Sequence, residues 1–137
     1  MDKVEISTYY LFSEHETTPF KYVHPLKLNK VKQLSEMEFP SYVKYLILFG
    51  SSLDLSCTQA SDIDLYFIVD EGYEYCSDTI IELHKLCSNV QSRFDLLVSN
   101  EKEFFESSMN VNSVQRKILE RGAIIYERKK EFEDNSA

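Results

Sequence analysis

The sequence predicts an α/β (α+β) fold, a small mixed sheet with helices packed mainly on one face. Three observations predict it. Short, largely apolar runs of strand length recur at 43–49, 62–69 and 93–98, and the first is near-continuous rather than alternating, as in a strand buried on both faces. Segments with apolar residues at helical spacing alternate with them, at 26–38 and 78–87, and that alternation implies stacked layers of helix and sheet. A chain of 137 residues, 43% hydrophobic and 28% charged, suffices for one domain that buries a core without staples.

The elements follow in order. Residues 1–24 are rich in Tyr and Thr with imperfect alternation, and read as an N-terminal arm packed on the domain edge. Pro25 suits a helix start. Leu26, Leu28, Val31, Leu34 and Met37 then give a helix over 26–38, ended by Phe39-Pro40, with Lys27, Lys30 and Lys32 on its solvated side. Val43 to Phe49 forms the first core strand, 51–56 a short helix, and Thr58 to Ser61 a polar turn. The second strand runs to Val69 and is stopped by Asp70-Glu71-Gly72, which read as turn residues. Ile80, Ile81, Leu83, Leu86 and Cys87 mark a helix over 78–87, and the third strand runs from Arg93 or Phe94 to Val98. Ser99-Asn100-Glu101 opens a short helix through Phe105. Asn112-Ser113 caps another to Arg121, with Gly122 at its stop, and Ala123 to Tyr126 is a last strand. The single domain thus covers 1–127, with its core at 25–127, and 128–137 is a charged, flexible tail.

The formal net charge is −8. That disfavours nucleic acid, which is bound by Lys and Arg neutralising phosphates. Cys57, Cys76 and Cys87 lack the spacing of a metal clip and read as reduced, structural cysteines of a cytoplasmic protein. No apolar h-region or membrane-length apolar run stands out.

Chemistry concentrates in one stretch. Leu46-Ile47-Leu48-Phe49-Gly50-Ser51-Ser52 is followed, ten residues after Ser51, by Ser61-Asp62-Ile63-Asp64-Leu65. Side chains i and i+2 of a strand share a face, so Asp62 and Asp64 project together while Ile63 and Leu65 enter the core. Two carboxylates aimed at one point repel unless a cation sits between them. Mg²⁺ suits that place, since it takes oxygen ligands from one or two carboxylates together with substrate phosphates. The Gly-Ser turn lets backbone approach a ligand, and amides opening a helix favour phosphate. Asp95, the one acid of its apolar run, completes a set of three acids suited to two-metal phosphoryl transfer.

This residue set resembles the nucleotidyltransferase superfamily typified by DNA polymerase beta: an apolar strand ending in Gly-Ser, about ten residues, Asp-x-Asp, then an acid on a later strand. The likeness spans 42–126 and is nearest the minimal nucleotidyltransferase branch, which includes antitoxins paired with HEPN toxins. It implies a polymerase-beta-like palm, ATP as substrate, and two Mg²⁺ ions held by Asp62, Asp64 and Asp95. Asp95 would also help deprotonate the acceptor hydroxyl, and Gly50, Ser51 and Ser52 would contact the nucleotide. It also implies AMP transfer (AMPylation) to a partner protein, with a HEPN-type toxin as the partner class. One departure stands out. Small members often carry Gly-Ser-Arg-Ala-Arg-Gly, whereas this chain has Gly50-Ser51-Ser52-Leu53-Asp54-Leu55, without either basic residue. Two alternatives are weighed beside the protein acceptor. One is a small-molecule acceptor, as in aminoglycoside nucleotidyltransferases, with the pocket completed by a second copy or a partner chain. The other is a non-catalytic antitoxin subunit that occludes its partner.

Overall fold

A computed structural model of the chain describes residue 20 and residues 22–129. Most of the expected arm and tail lie outside these residues. The described elements are α1 (Pro25–Ser35), β1 (Val43–Phe49), a 3-10 turn (Gly50–Leu53), β2 (Ile63–Val69), a second 3-10 turn (Tyr73–Tyr75), α2 (Ser77–Cys87), β3 (Phe94–Asn100), α3 (Glu101–Ser108), α4 (Val114–Arg121) and β4 (Ala123–Glu127).

The four strands form one mixed sheet in the order β3-β2-β1-β4. Strand β1 is antiparallel to both β2 and β4, while β2 and β3 are parallel. A parallel pair needs a crossover of a dozen or more residues, and α2 supplies it. Among the described residues no helix is long and apolar enough to cross a membrane.

The mixed sheet matches expectation; the placement of helices mainly on one face does not. Val31 and Leu34 of α1 and Leu83 and Cys87 of α2 pack with Leu46, Leu48, Leu65 and Phe67 on one face. Phe104 of α3 and Ile118 and Leu119 of α4 pack with Tyr45, Ile47, Tyr66 and Ile68 on the other. The reason is in the strands. Because β1 and β2 are apolar on both faces, each face must be covered, and two helices fall to each.

Local chemistry sets the element ends. His24 caps α1, its Nδ1 accepting from the Leu26 amide at 3.1 Å. The helix stops at Ser35, three residues before the expected end, because the amides of Glu36 and Met37 turn back to the Gln33 and Leu34 carbonyls (3.3 and 3.2 Å) in tighter i to i−3 bonds. The expected caps are present: Asn100 Oδ1 accepts from Glu103 N (2.8 Å) and Ser113 Oγ from Arg116 N (3.0 Å). Gly122 ends α4 with an ordinary φ of −70°. Its role is room: a Cβ there would lie 2.7 Å from the Ile118 carbonyl oxygen and 2.9 Å from Ile47 Cγ2.

Lys27, expected on a solvated face, is buried, and its Nζ donates to the Gln59 carbonyl at 3.2 Å. The tail's first residue is held as well. Arg128 N donates to the Lys44 carbonyl at 2.9 Å, and the Arg128 guanidinium to Asp70 and to the Ser41 carbonyl.

Candidate active site

The site forms where β1 ends and β2 and β3 begin. Gly50 follows β1 with φ +80°, a conformation that L side chains rarely adopt. A Cβ at Gly50 would lie 2.2 Å from Asp64 Oδ2, so the carboxylate occupies the space a side chain would fill. Glycine is therefore required twice at this position, for the turn and for the close approach.

Register does the rest. Phe49 lies opposite Asp64 across the β1–β2 pair, and Asp64 lies opposite Asp95 across the parallel β2–β3 pair. Asp62 is two residues before Asp64 and shares its face. Asp64 and Asp95 thus meet on the face covered by α3 and α4, at the edge of the apolar cover, with Asp62 just before the strand. There Asp95 and Leu97 are exposed, whereas Tyr66 and Ile68 further along are buried. The convergence has an electrostatic signature. Burial, the Asp95 charge, a hydrogen bond shared with Asp95, and the Asp62 charge, in that order, raise the Asp64 pKa from 3.8 to about 6.

Asp62 has a different neighbour. Arg93 Nε stands 3.1 Å from Asp62 Oδ1. The contact is an ion pair without an aligned N–H, since that buried oxygen accepts no hydrogen bond. The Arg93 guanidinium donates instead to the Ala60 carbonyl at 2.9 Å. Ser61, directly before the acids, closes its own turn by accepting from Thr58 N at 2.9 Å. Among the described residues no group of three His, Cys, Asp or Glu side chains is set to hold a metal ion; Asp64 and Asp95 face each other while Asp62 is drawn toward Arg93.

The three hydroxyl and glycine positions separate. Gly50 lies against Asp64, and Ser51 is half-buried beside it. Ser52 is fully buried; its carbonyl accepts from His24 N at 2.7 Å and its hydroxyl has no partner among the described residues. Asp54 turns to Ser56, accepting from its amide at 2.7 Å, and these bonds hold its carboxyl below the usual range. The sequence patterns did not reveal Arg93 beside Asp62, nor Lys27 under the connecting turn. The signal for Arg93 was its spacing: Arg93-x-Asp95 mirrors Asp62-x-Asp64.

The family model "Polymerase beta, Nucleotidyltransferase" matches residues 29–131. The chain belongs to this family. Its members are nucleotidyltransferases. A relative from Methanocaldococcus jannaschii, named "putative protein adenylyltransferase", is 26% identical over 108 residues, 72% of this chain and 100% of its own length. A solved structure titled as a "putative nucleotidyltransferase" from Sulfolobus solfataricus covers 95% of each chain at 18% identity with a TM-score of 0.45. That likeness is too loose to bear on the site. A cleft of about 750 Å³ opens at the opposite end of the sheet, between Lys44, Val69, Phe105, Arg116 and Leu119. It contains none of the three acids, so its size does not make it the reaction site of this nucleotidyltransferase.

Proposed function

We propose that this nucleotidyltransferase moves AMP from ATP to a hydroxyl on a partner protein, with Asp62, Asp64 and Asp95 as ligands for Mg²⁺. The observation that carries the reading is the Gly50–Asp64–Asp95 alignment, in which an omitted Cβ makes room for a carboxylate held against a second one. Burial and the neighbouring Asp95 carboxylate raise the Asp64 pKa, and a buried Asp62 oxygen lacks a hydrogen-bond donor. Both are the marks of a donor set that a hard divalent cation would satisfy. When bound, such ions supply charge neutralisation for the phosphates and for the attacking and leaving oxygens.

The chain's own residues would do the following. Asp62 and Asp64 fix the position of the triphosphate through the charge they gather. Asp95, the most open of the three, takes the proton of the acceptor hydroxyl. The hydroxyl oxygen bonds to the α-phosphorus, the bond to the β-phosphate oxygen breaks, and pyrophosphate leaves with that electron pair. The Gly50 and Ser51 turn contacts the outer phosphates. Exposed Leu97, on the Asp95 face, offers an apolar surface beside the acids.

A protein acceptor is supported by the name of the Methanocaldococcus jannaschii relative and by the negative charge, which disfavours nucleic acid. A HEPN-type toxin is the partner class to try first. Incubation of the chain with ATP, Mg²⁺ and candidate partners, read by intact-protein mass spectrometry, should show an added AMP mass. One observation favours a second, non-catalytic reading: the turn over 50–55 has no basic residue, and Asp54 is committed to Ser56. Calorimetry with ATP and Mg²⁺ separates the two. Metal-dependent nucleotide binding supports transfer, and its absence leaves an occluding subunit.

A further inference from the structure

We propose that Arg93 is the resident cation of this site, neutralising Asp62 until a divalent ion takes its place and then turning to the phosphates of the nucleotide. The inference rests on the metal-and-nucleotide reading above and adds an order to it.

The sheet fixes the arrangement. Ile63 pairs with Phe94 and Asp64 with Asp95 in parallel register, and Ile63 N donates to the Arg93 carbonyl at 2.9 Å. Extending that ladder by one step sets Arg93 across from Asp62. The Arg93-x-Asp95 pair on one strand thus meets Asp62-x-Asp64 on the next, and three acids and one guanidinium share a face. Arg93 is held at its backbone by the Ile63 amide and open to solvent along its side chain. Its side chain is 77% exposed, anchored by the Ala60 carbonyl and by a contact to Asp62 that lacks an aligned N–H. An exposed ion pair of this kind contributes little. It can be exchanged for a divalent ion, which meets the same oxygen with twice the charge.

The exchange also answers what holds the phosphates. The Gly50 turn carries no Lys or Arg as far as 55. Guanidinium presents a planar fork of donors that suits phosphate oxygens, and Arg93 stands against Asp62, the first of the three acids. When an ion at Asp62 frees that fork, nucleotide gains a binding group. By linkage, nucleotide must then tighten the metal site by the same factor.

Titration of the full chain with Mn²⁺, with and without ATP, tests this by calorimetry, alongside Arg93→Gln and Arg93→Lys. Arg93→Gln should bind Mn²⁺ alone about threefold tighter, as the competing charge is gone. It should bind ATP in the presence of Mn²⁺ about tenfold more weakly, having lost a charge-assisted contact. Arg93→Lys should restore part of both. A structural role alone would weaken both affinities together. Equal or weaker Mn²⁺ binding by a folded Arg93→Gln, or unchanged ATP binding, overturns the proposal while leaving the metal reading intact. A wild-type chain that binds no Mn²⁺ with or without ATP overturns both.

Discussion

The two ends of the sheet treat charge in opposite ways. At the end formed by the start of β1 and the close of β2 and β4, two pairs of opposite charges are latched together. Arg128 holds Asp70 at 2.9 Å and Lys44 holds Glu101 at 2.6 Å, while the Asn100 amide donates to Glu74. At the other end, a few residues along the same strands, Asp64 and Asp95 face each other, and among the described residues Arg93 pairs with Asp62. Opposite charges latched together add modest stability. Like charges pressed together cost stability and gain a use once a cation arrives. On the proposed reading, holding falls to one end and chemistry to the other, and substitutions at the two ends should therefore separate activity from stability.

The sharpest division comes from Asp64→Asn. Transfer activity should fall by about 10²–10³-fold or more, the scale of losing a group that acts on transition-state charge. Circular dichroism should show an intact fold. Full activity in this variant would break the comparison, because the acid end would then be an accident of sequence. Gly50→Ala comes next and should damage both properties. The added Cβ meets Asp64 Oδ2 at 2.2 Å in a backbone with φ +80°, a strain of about 2 kcal/mol. Activity should drop with it as the carboxylate is pushed aside. An active Gly50→Ala with an unchanged melting temperature would mean that the turn and the carboxylate are not tightly coupled.

Arg128→Ala probes the other end. It removes the guanidinium from Asp70 and from the Ser41 carbonyl, and should lower stability by about 1 kcal/mol, or roughly 4 °C in Tm. The kcat of the transfer reaction should stay as it is. A loss of kcat with Arg128→Ala would show that the latched end reaches into the chemistry.

How much of this was legible in the sequence depends on the range of the interaction. The central strands were legible because Tyr45 to Phe49 and Leu65 to Val69 are apolar without a break, and only a strand covered on both sides tolerates that. The same observation implied helices on both faces, but α3 and α4 are short and carry few anchors: Phe104, Ile118 and Leu119. Local caps such as Asn100 and Ser113 were legible because their bonds close within three residues. The spacing of Gly50, Asp62 and Asp64 marked the site for the same reason. The contact of Arg93 with Asp62 was hidden, because it depends on the parallel register of β2 and β3, which Arg93 and Asp62, 31 positions apart, do not encode locally. Lys27 was hidden too, since helical spacing alone does not show that the 58–61 turn folds over it.

The smallest effect is the most direct reading of the repulsion itself. Burial first, and then Asp95, raise the Asp64 pKa from 3.8 to about 6. Between those values the folded chain holds a proton that the unfolded chain has released. Stability from this group is therefore fully present below about pH 4 and lost as pH rises through about 6. Asp64→Asn removes the ionisation. In EDTA at pH 7 it should melt higher than wild type by about 2 °C, since at a partly exposed site water screens the repulsion to about half a kcal/mol. At about pH 3, below the unfolded value, the two should melt together. Added Mg²⁺ should reverse the order at pH 7, because it stabilises only the chain that keeps the carboxylate. If Asp64→Asn melts below wild type in EDTA at pH 7, the acid end is not repulsive and the contrast with the latched end disappears.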